Sequence, residues 1–131
     1  MIMSAEKNIF QGIKKFQTEY KQAVNKKQRQ VRTLREIGGR GAEQLIQDIQ
    51  IRFNDTLHEM QKKHGASVRH YVSMIEDETV KKKVRYKVNL CIRCPEKCGT
   101  FETAQEFYQW CGVGDIFFSS DILTDEVNKP P

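Results

Sequence analysis

Two rows of apolar residues at helical spacing, separated by a cluster of glycines, constrain this chain more than any other feature. The first row runs from Ile9 to Leu34 and the second from Ile46 to Ile75, in steps of three and four residues except near Lys27, where polar residues interrupt the first row. Such steps place the side chains on one side of an α-helix. Between the rows, Gly38-Gly39-Arg40-Gly41 ends a helix, because glycine adopts the left-handed conformation that closes one. The pattern predicts three helices, near 4–37, 42–64 and 67–84.

Two amphipathic helices joined by a short loop fold back on each other, so that each apolar face covers the other. We therefore predict a mostly α protein built on a long, antiparallel, coiled-coil-like helical hairpin over residues 1–84. Lys62-Lys63-His64-Gly65 is typical of a helix C-terminus, so we expect a kink or short break at Gly65. Residues 85–118 are predicted to form a small cysteine module of the β-turn-α type, and residues 119–131 an acidic flexible tail.

A hairpin of two helices has a thin core. Hydrophobic residues make up 38% of the chain, which is below the usual share for a globular domain. We therefore expect another chain, either a protein partner or a second copy, to cover the apolar rows. The predicted oligomer or partner interface comprises Ile13, Phe16, Tyr20, Val24, Val31, Leu34, Ile46, Ile49, Phe53, Leu57 and Met60.

The charge is distributed unevenly along the chain. Residues 1–90 hold 19 Lys and Arg against 10 Asp and Glu, a net charge of +9, whereas residues 91–131 carry −4. Nine of the bases lie between Lys14 and Arg40. They either solvate the outer face of a helix or form a footprint for a polyanion, so nucleic acid is an alternative partner. The predicted polyanion contacts are Lys21, Lys26, Lys27, Arg29, Arg32 and Arg35.

All four cysteines follow residues 85–90, where polar and apolar residues alternate and predict a β-strand. The last cysteine lies on a short helix, which the capping box Thr103-Ala104-Gln105-Glu106 begins and Gly112 ends. In a reducing compartment, clustered cysteines more often bind a metal than form disulfides. Tetrahedral zinc takes four such ligands. We therefore predict a Zn²⁺ site at Cys91, Cys94, Cys98 and Cys111.

The segment from Cys94 to Cys111 resembles the first three ligands of the two-Cys two-His zinc finger, where a cysteine pair precedes a phenylalanine and a ligand-bearing helix. The resemblance implies that Phe101 and Phe107 form a small core. No second helix ligand follows Cys111 at the finger spacing, so Cys91 would supply the fourth ligand. The base-reading positions of the family do not carry over, because residues 104–111 contain no Arg or Lys.

Two disulfides or free thiols are the alternatives to zinc. Four cysteines allow three pairings, and the sequence does not choose among them. A bridge between Cys94 and Cys98 would close a very small loop, and Cys91 paired with Cys111 would then join the strand to the helix. A Cys-Ile-Arg-Cys redox motif and an iron–sulfur cluster are further alternatives.

The sequence contains no recognisable catalytic arrangement. Gly38-Gly39-Arg40-Gly41 lacks the Lys-Ser/Thr of a phosphate-binding loop. The histidines at 58, 64 and 70 are six residues apart, so a helix would not bring them together as ligands. We expect a non-enzymatic interaction or assembly protein, whose helical rod self-associates or docks in a larger complex and whose cysteine module is a structural recognition head. The alternatives are a nucleic-acid-binding regulator that uses Lys14–Arg40 and a secreted, disulfide-bonded helical protein.

The apolar runs of the chain bear on its location. None approaches the length of about 18 residues that a membrane-spanning helix needs, so we expect no membrane span. The first residues have no apolar stretch long enough for a secretory signal. We therefore expect an intracellular protein, whether cytoplasmic, nuclear or virion-internal, or a secreted one if the chain is a processed form.

Overall fold

A computed structural model describes residues 4–114 of the chain, with the backbone alone for residues 4–6. Four α-helices make up nearly all of this part: α1 (Ser4–Ile37), α2 (Arg40–Ser73), α3 (Glu78–Arg93) and α4 (Ala104–Cys111). A 3-10 turn, Pro95–Lys97, lies between α3 and α4. No strand occurs within residues 4–114, and the predicted mostly α class is confirmed. The tail expected at 119–131 and the end of the expected cysteine module lie outside the described residues.

The glycine cluster ends α1 as the sequence predicts. Gly38 and Gly39 have φ angles of +73° and +95°, in the left-handed region that L side chains rarely adopt. The Gly38 N–H donates to the carbonyl oxygen of Leu34 at 2.9 Å and closes the last turn. The chain then enters α2 at Arg40, immediately after the two glycines.

α2 continues without a break through Gly65, where the sequence led us to expect a kink or a helix end. His64 and Val68 flank this glycine, and both side chains are buried. Packing on both sides of Gly65 holds the backbone helical and overrides the weak helix preference of glycine. α2 ends at Ser73, so it includes the predicted helix near 42–64 and the first part of the one near 67–84, and the last part of that helix belongs to α3.

The strand predicted at residues 85–90 is wrong, because this segment lies inside α3. The side chain of Asp77 begins α3 by accepting hydrogen bonds from the backbone N–H groups of Thr79 and Val80. A buried row at steps of four and three residues follows, formed by Val80, Val84, Val88 and Cys91. Tyr86, which a strand would place beside Val88, is instead 67% exposed. The expected boundary between residues 84 and 85 thus falls within a helix.

The core lies at one end of the two long helices. Ile9, Ile13 and Phe16 of α1 are buried in one cluster with Val68 and Val72 of α2 and with apolar residues of α3 and α4. We call residues 78–114 the head and this end of α1 and α2 the proximal end. We call residues 20–37 and 40–57 the distal half. In the distal half, all of which the structure describes, Ala42 is the single buried residue.

Contacts between α1 and α2 occur in opposite order along the two helices. A Cβ atom on Gly12 would lie 3.3 Å from the side chain of Val68, so the backbones approach closely there. The ring centroids of Phe16 and His64 are 5.8 Å apart. Further out, the Nζ atom of Lys27 lies 4.6 Å from the ring centroid of Phe53. The two helices therefore pack along each other into the distal half, beyond the part that the head covers.

Candidate functional site

The distal half contains a groove of about 640 Å³ between α1 and α2. Its apolar side chains come from both helices, and none of them is fully buried. Leu45 is 46% exposed, although large apolar side chains are usually covered in a folded chain. The groove is lined by Ala23, Lys26, Lys27, Arg29, Gln30, Thr33, Leu34, Leu45, Ile49, Arg52, Phe53 and Thr56. We call this set the distal groove.

Four cations stand among the apolar residues of the distal groove: Lys26, Lys27, Arg29 and Arg52. Among residues 7–114, none that lines the groove is acidic. Lys27 lies over the ring of Phe53, so one cation reaches the apolar floor itself. No ion pair of these four cations occurs within residues 7–114, whose side chains the structure describes. The groove therefore combines an apolar floor with uncompensated positive charge.

The predicted interface residues divide according to their position along the rod. Ile13 and Phe16 are buried in the proximal core. Leu57 and Met60 are partly buried against that core. The other seven, all half-buried along the distal half, are Tyr20, Val24, Val31, Leu34, Ile46, Ile49 and Phe53. The head thus covers one part of the apolar row, and the other part stays half-open.

One disulfide forms, and it differs from the example of Cys94–Cys98 with Cys91–Cys111 that the sequence analysis considered. Pro95 follows Cys94 and disfavours helical backbone there, so α3 ends at Arg93. The 3-10 turn then brings Cys98 back to Cys91, and these two form a disulfide with their Cα atoms 4.6 Å apart. Cys94 and Cys111 are free. The pairs Cys94–Cys98 and Cys91–Cys111 are therefore not found.

Two of the four cysteines predicted to bind zinc are joined in a disulfide in this structure. Cys91 and Cys98 are joined to each other, and their sulfur atoms are not available as thiolate ligands. Residues 4–114 contain no group of three or more His, Cys, Asp or Glu residues able to hold a metal ion. Burial raises the pKa of the Cys111 thiol to about 12, against a smaller opposing effect of Lys87, so this sulfur stays protonated at neutral pH. Zinc at these residues would require the disulfide to be reduced first.

α4 is the part of the zinc-finger resemblance that the structure reproduces. Thr103 caps the helix, as predicted, by accepting a hydrogen bond from the N–H of Glu106 at 3.2 Å, and Gly112 ends it at a φ of +84°. Phe101 and Phe107 pack edge to face with ring centroids 5.2 Å apart. These rings belong to the main core instead of forming a separate small one. The head therefore has no independent core of its own.

Polar contacts attach the head to α1 and α2. Lys14 donates a hydrogen bond to the carbonyl oxygen of Phe101 at 2.7 Å. Gln17 donates to the carbonyl oxygen of Gly99 and also contacts the sulfur of Cys98 at 3.4 Å. From α2, Gln61 donates to the carbonyl oxygen of Ile92 at 3.1 Å. The disulfide loop thus lies directly against the proximal end of the rod.

His64 is a structural residue that sequence reasoning missed. It is 6% exposed, its ring packs against Phe16, and its Nε2 atom hydrogen-bonds the Glu19 carboxylate. That hydrogen bond lowers the pKa of Glu19, although partial burial opposes the change. Lys63 lies 3.7 Å from the same carboxylate. The sequence signal for this pair is a histidine on the second apolar row together with a glutamate that lies beside the first row, three residues after Phe16.

The described helices and the comparisons with known proteins add little to this picture. None of the helices within residues 4–114 is long and apolar enough to cross a bilayer. Neither the family models, the curated proteins nor the solved structures include a match to this chain. A functional proposal therefore depends on the geometry of the distal groove and the head.

The cysteine arrangement makes a mass-spectrometric prediction. We expect the unfolded, unreduced chain to weigh two hydrogens less than its reduced form, because one disulfide joins Cys91 to Cys98. In the native chain, Cys94, which is half-buried, should react with a thiol reagent much faster than the buried Cys111. A loss of four hydrogens, or a zinc adduct in the native spectrum with no loss, would contradict this arrangement.

The Glu19–His64 pair makes a prediction about acid stability. Because the folded-state pKa of Glu19 is lowered, its contribution is present above about pH 4.5 and is lost as the pH falls through the folded-state value. We expect Glu19→Gln to reduce the free energy of unfolding by about 1 kcal/mol at neutral pH, with the partial exposure of Glu19 taken into account. The difference from wild type should shrink as the pH falls below about 4.5.

Urea denaturation at several pH values measures this difference. Glu59→Gln is the matched control, because Glu59 is exposed on α2 and has no hydrogen bond or ion pair among the described side chains. A cost for Glu19→Gln that is the same at neutral and acid pH would show that the hydrogen bond is not responsible.

Proposed function

We propose that this chain is a non-enzymatic assembly protein whose two long helices bind another chain through the distal groove. In this proposal the head has a structural role: it covers the apolar rows at the proximal end and fixes α1 against α2 there. The proposal includes an antiparallel, coiled-coil-like hairpin for α1 and α2. Lys27, which interrupts the first apolar row and lies over Phe53, would then help to set the register between the helices.

The observation that carries the proposal is the half-open apolar row of the distal half. Burial of apolar surface is the main favourable contribution to association between chains. The groove offers such surface at Leu34, Leu45, Ile49 and Phe53, beside a core that is already complete at the other end. The groove is therefore a surface that a second chain can cover without any rearrangement of the head.

The charge around the groove favours an acidic partner over a second copy. A symmetric dimer through this surface would bring the same four cations of both copies around one seam. Like charges placed opposite each other across an interface weaken association. An amphipathic helix with acidic flanks would instead cover the floor and pair with the cations. Helix-in-groove binding of this kind is a common mode of recognition.

Two other functions have a supporting observation each. On the outer face of α1, a shallow concavity lined by Gln22, Asn25, Gln28, Arg29 and Arg32 favours a polyanion such as nucleic acid. The Cys91–Cys98 disulfide favours a protein of an oxidising compartment, as in the secreted alternative. Neither observation involves the apolar floor of the distal groove, and both functions therefore rank below docking.

A binding assay with two designed helical peptides tests the docking proposal. The peptides share one leucine stripe, and their polar positions carry glutamate in one and lysine in the other. We expect the acidic peptide to bind about tenfold more tightly than the basic one at low salt, measured by fluorescence anisotropy. Leu45→Ser should abolish binding. Ile51→Ser should not, because Ile51 is 58% exposed on the same helix but does not line the groove.

The same variants distinguish docking of an acidic partner from self-association and from nucleic-acid binding. Equal binding of the two peptides, or binding that Leu45→Ser leaves intact, would refute docking in the distal groove. Sedimentation of the free protein detects self-association: a dimer that Leu45→Ser dissociates would assign the groove to a second copy. An oligonucleotide that binds at low salt, and loses its affinity in Arg32→Glu but not in Leu45→Ser, would favour the polyanion function.

A further inference from the structure

Three of the four cysteines lie in one short loop at the end of α3. Cys91 is in the last turn of that helix, and Cys94 is its C-cap, with its N–H bonded to the carbonyl oxygen of Leu90. Residues three apart on a helix are neighbours on one face. The 3-10 turn then brings Cys98 back to Cys91, so that their Cα atoms are 4.6 Å apart. The loop therefore gathers three sulfur atoms within residues 91–98.

Reduction changes what these three sulfur atoms can do. A dithiol reductant breaks the bond between Cys91 and Cys98, gives two electrons and two protons to their sulfur atoms, and becomes a disulfide itself. With Cys94, the loop then carries three thiols. Thiols stay in this form in a reducing compartment. Because thiolates are preferred ligands of zinc, reduction turns a covalent closure of the loop into a set of metal ligands.

Polar groups around the loop suit a metal-bound form. The Nε2 atom of Gln17, on α1, is a hydrogen-bond donor 3.4 Å from the sulfur of Cys98. Hydrogen bonds from neighbouring residues orient metal ligands and tune the metal, and this holds for ligand sulfur atoms as well. Arg93 and Lys97 are exposed and directly precede Cys94 and Cys98 in the chain. Their positive charges favour the thiolate forms that a metal needs.

Cys111 does not belong to this ligand set. It lies on α4 and is buried, and this burial raises the pKa of its thiol to about 12. A metal binds the thiolate, so Cys111 would have to lose its proton in an apolar core. Cys94 and Cys98 are only half-buried, so an ion can enter from solvent on their side. The loop then supplies three ligands of a tetrahedral zinc ion, and water takes the fourth position.

We infer that, when its disulfide is reduced, the loop 91–98 binds one Zn²⁺ through Cys91, Cys94 and Cys98. Each thiol releases its proton to solvent as its bond to zinc forms. The disulfide and the metal are thus alternative closures of one loop, and either one holds it against Gln17 of α1. The head then stays attached in a reducing or an oxidising compartment. The site lies in the head, so it does not depend on docking in the distal groove.

Metal binding by the full chain tests the site. The protein is reduced with a phosphine, which adds no competing thiol, and is titrated with Zn²⁺ or Co²⁺ without oxygen. Native mass spectrometry should show one zinc on the reduced chain and none on the unreduced chain. The charge-transfer absorption of the cobalt form should correspond to three thiolates. No adduct after reduction, equal binding before and after reduction, or absorption from two or four thiolates would each overturn the inference.

Two matched variants separate a built site from adventitious binding by exposed thiols. Cys94→Ala and Cys111→Ala each remove one free cysteine and keep the Cys91–Cys98 disulfide, so circular dichroism can verify their folding before reduction. We expect Cys111→Ala to bind zinc as wild type does. Cys94→Ala should bind it about a hundredfold or more weakly, since even residues behind the ligands cost up to about that factor. Equal affinity of the two variants, as in an unfolded chain whose thiols act alike, would contradict the site.

Thermal unfolding measures the consequence for the fold. We expect reduction without metal to lower the melting temperature of wild type, because the loop is then open. Stoichiometric Zn²⁺ should restore it, because an ion that binds only the folded form stabilises that form. Cys111→Ala should recover in the same way, and Cys94→Ala should not. Recovery of Cys94→Ala, or no recovery of zinc-bound wild type, would show that zinc does not close the loop.

Discussion

The packing of the first turns of α1 against three other helices is the interaction on which the rest of the structure depends. Ile9, Ile13 and Phe16 are covered by α2 on one side and by the head on the other. Gly12 allows the close approach to Val68 that completes this contact. A core built from four helices at one end can hold two long helices together beyond the point where they have only each other. The distal half is therefore positioned by the proximal core.

The separation of a buried proximal core from a partly covered distal half is the basis of the proposed binding surface in a chain with a modest apolar content. The apolar side chains of the proximal end are used for folding, and those of the distal half are left half-covered between two helices. The cations concentrate on the same half, so hydrophobicity and charge coincide in one groove. The disulfide strengthens the division, because its loop lies in the head against Gln17 of α1. The proximal end thus holds the core, and the distal half is the surface that we propose for docking.

Much of the architecture could be predicted from the sequence, because it depends on local periodicity and capping. The end of α1 at Gly38 and the capping of α4 by Thr103 follow from the backbone preferences of short segments. The course of α2 through Gly65 could not be predicted in this way, because contacts distant in sequence hold it helical. The strand predicted at residues 85–90 is wrong for a related reason. The alternation of polar and apolar residues there is short, and the buried row that begins at Val80 makes the segment helical. The Cys91–Cys98 pairing could not be predicted from the sequence, because it depends on residues 85–93 being part of the helix α3.

Hydrogen exchange along α2 tests most directly the claim that the protein has a closed end and an open end. The comparison lies within one helix, and residues 60–73 include Gly65, so local helix propensity alone would not make that part exchange more slowly. We predict that backbone amides of residues 60–73 exchange more slowly than those of residues 43–56 by about a factor of ten or more, since the former are held by the core. Equal protection along the helix, or slower exchange in residues 43–56, would contradict the division on which the docking proposal depends.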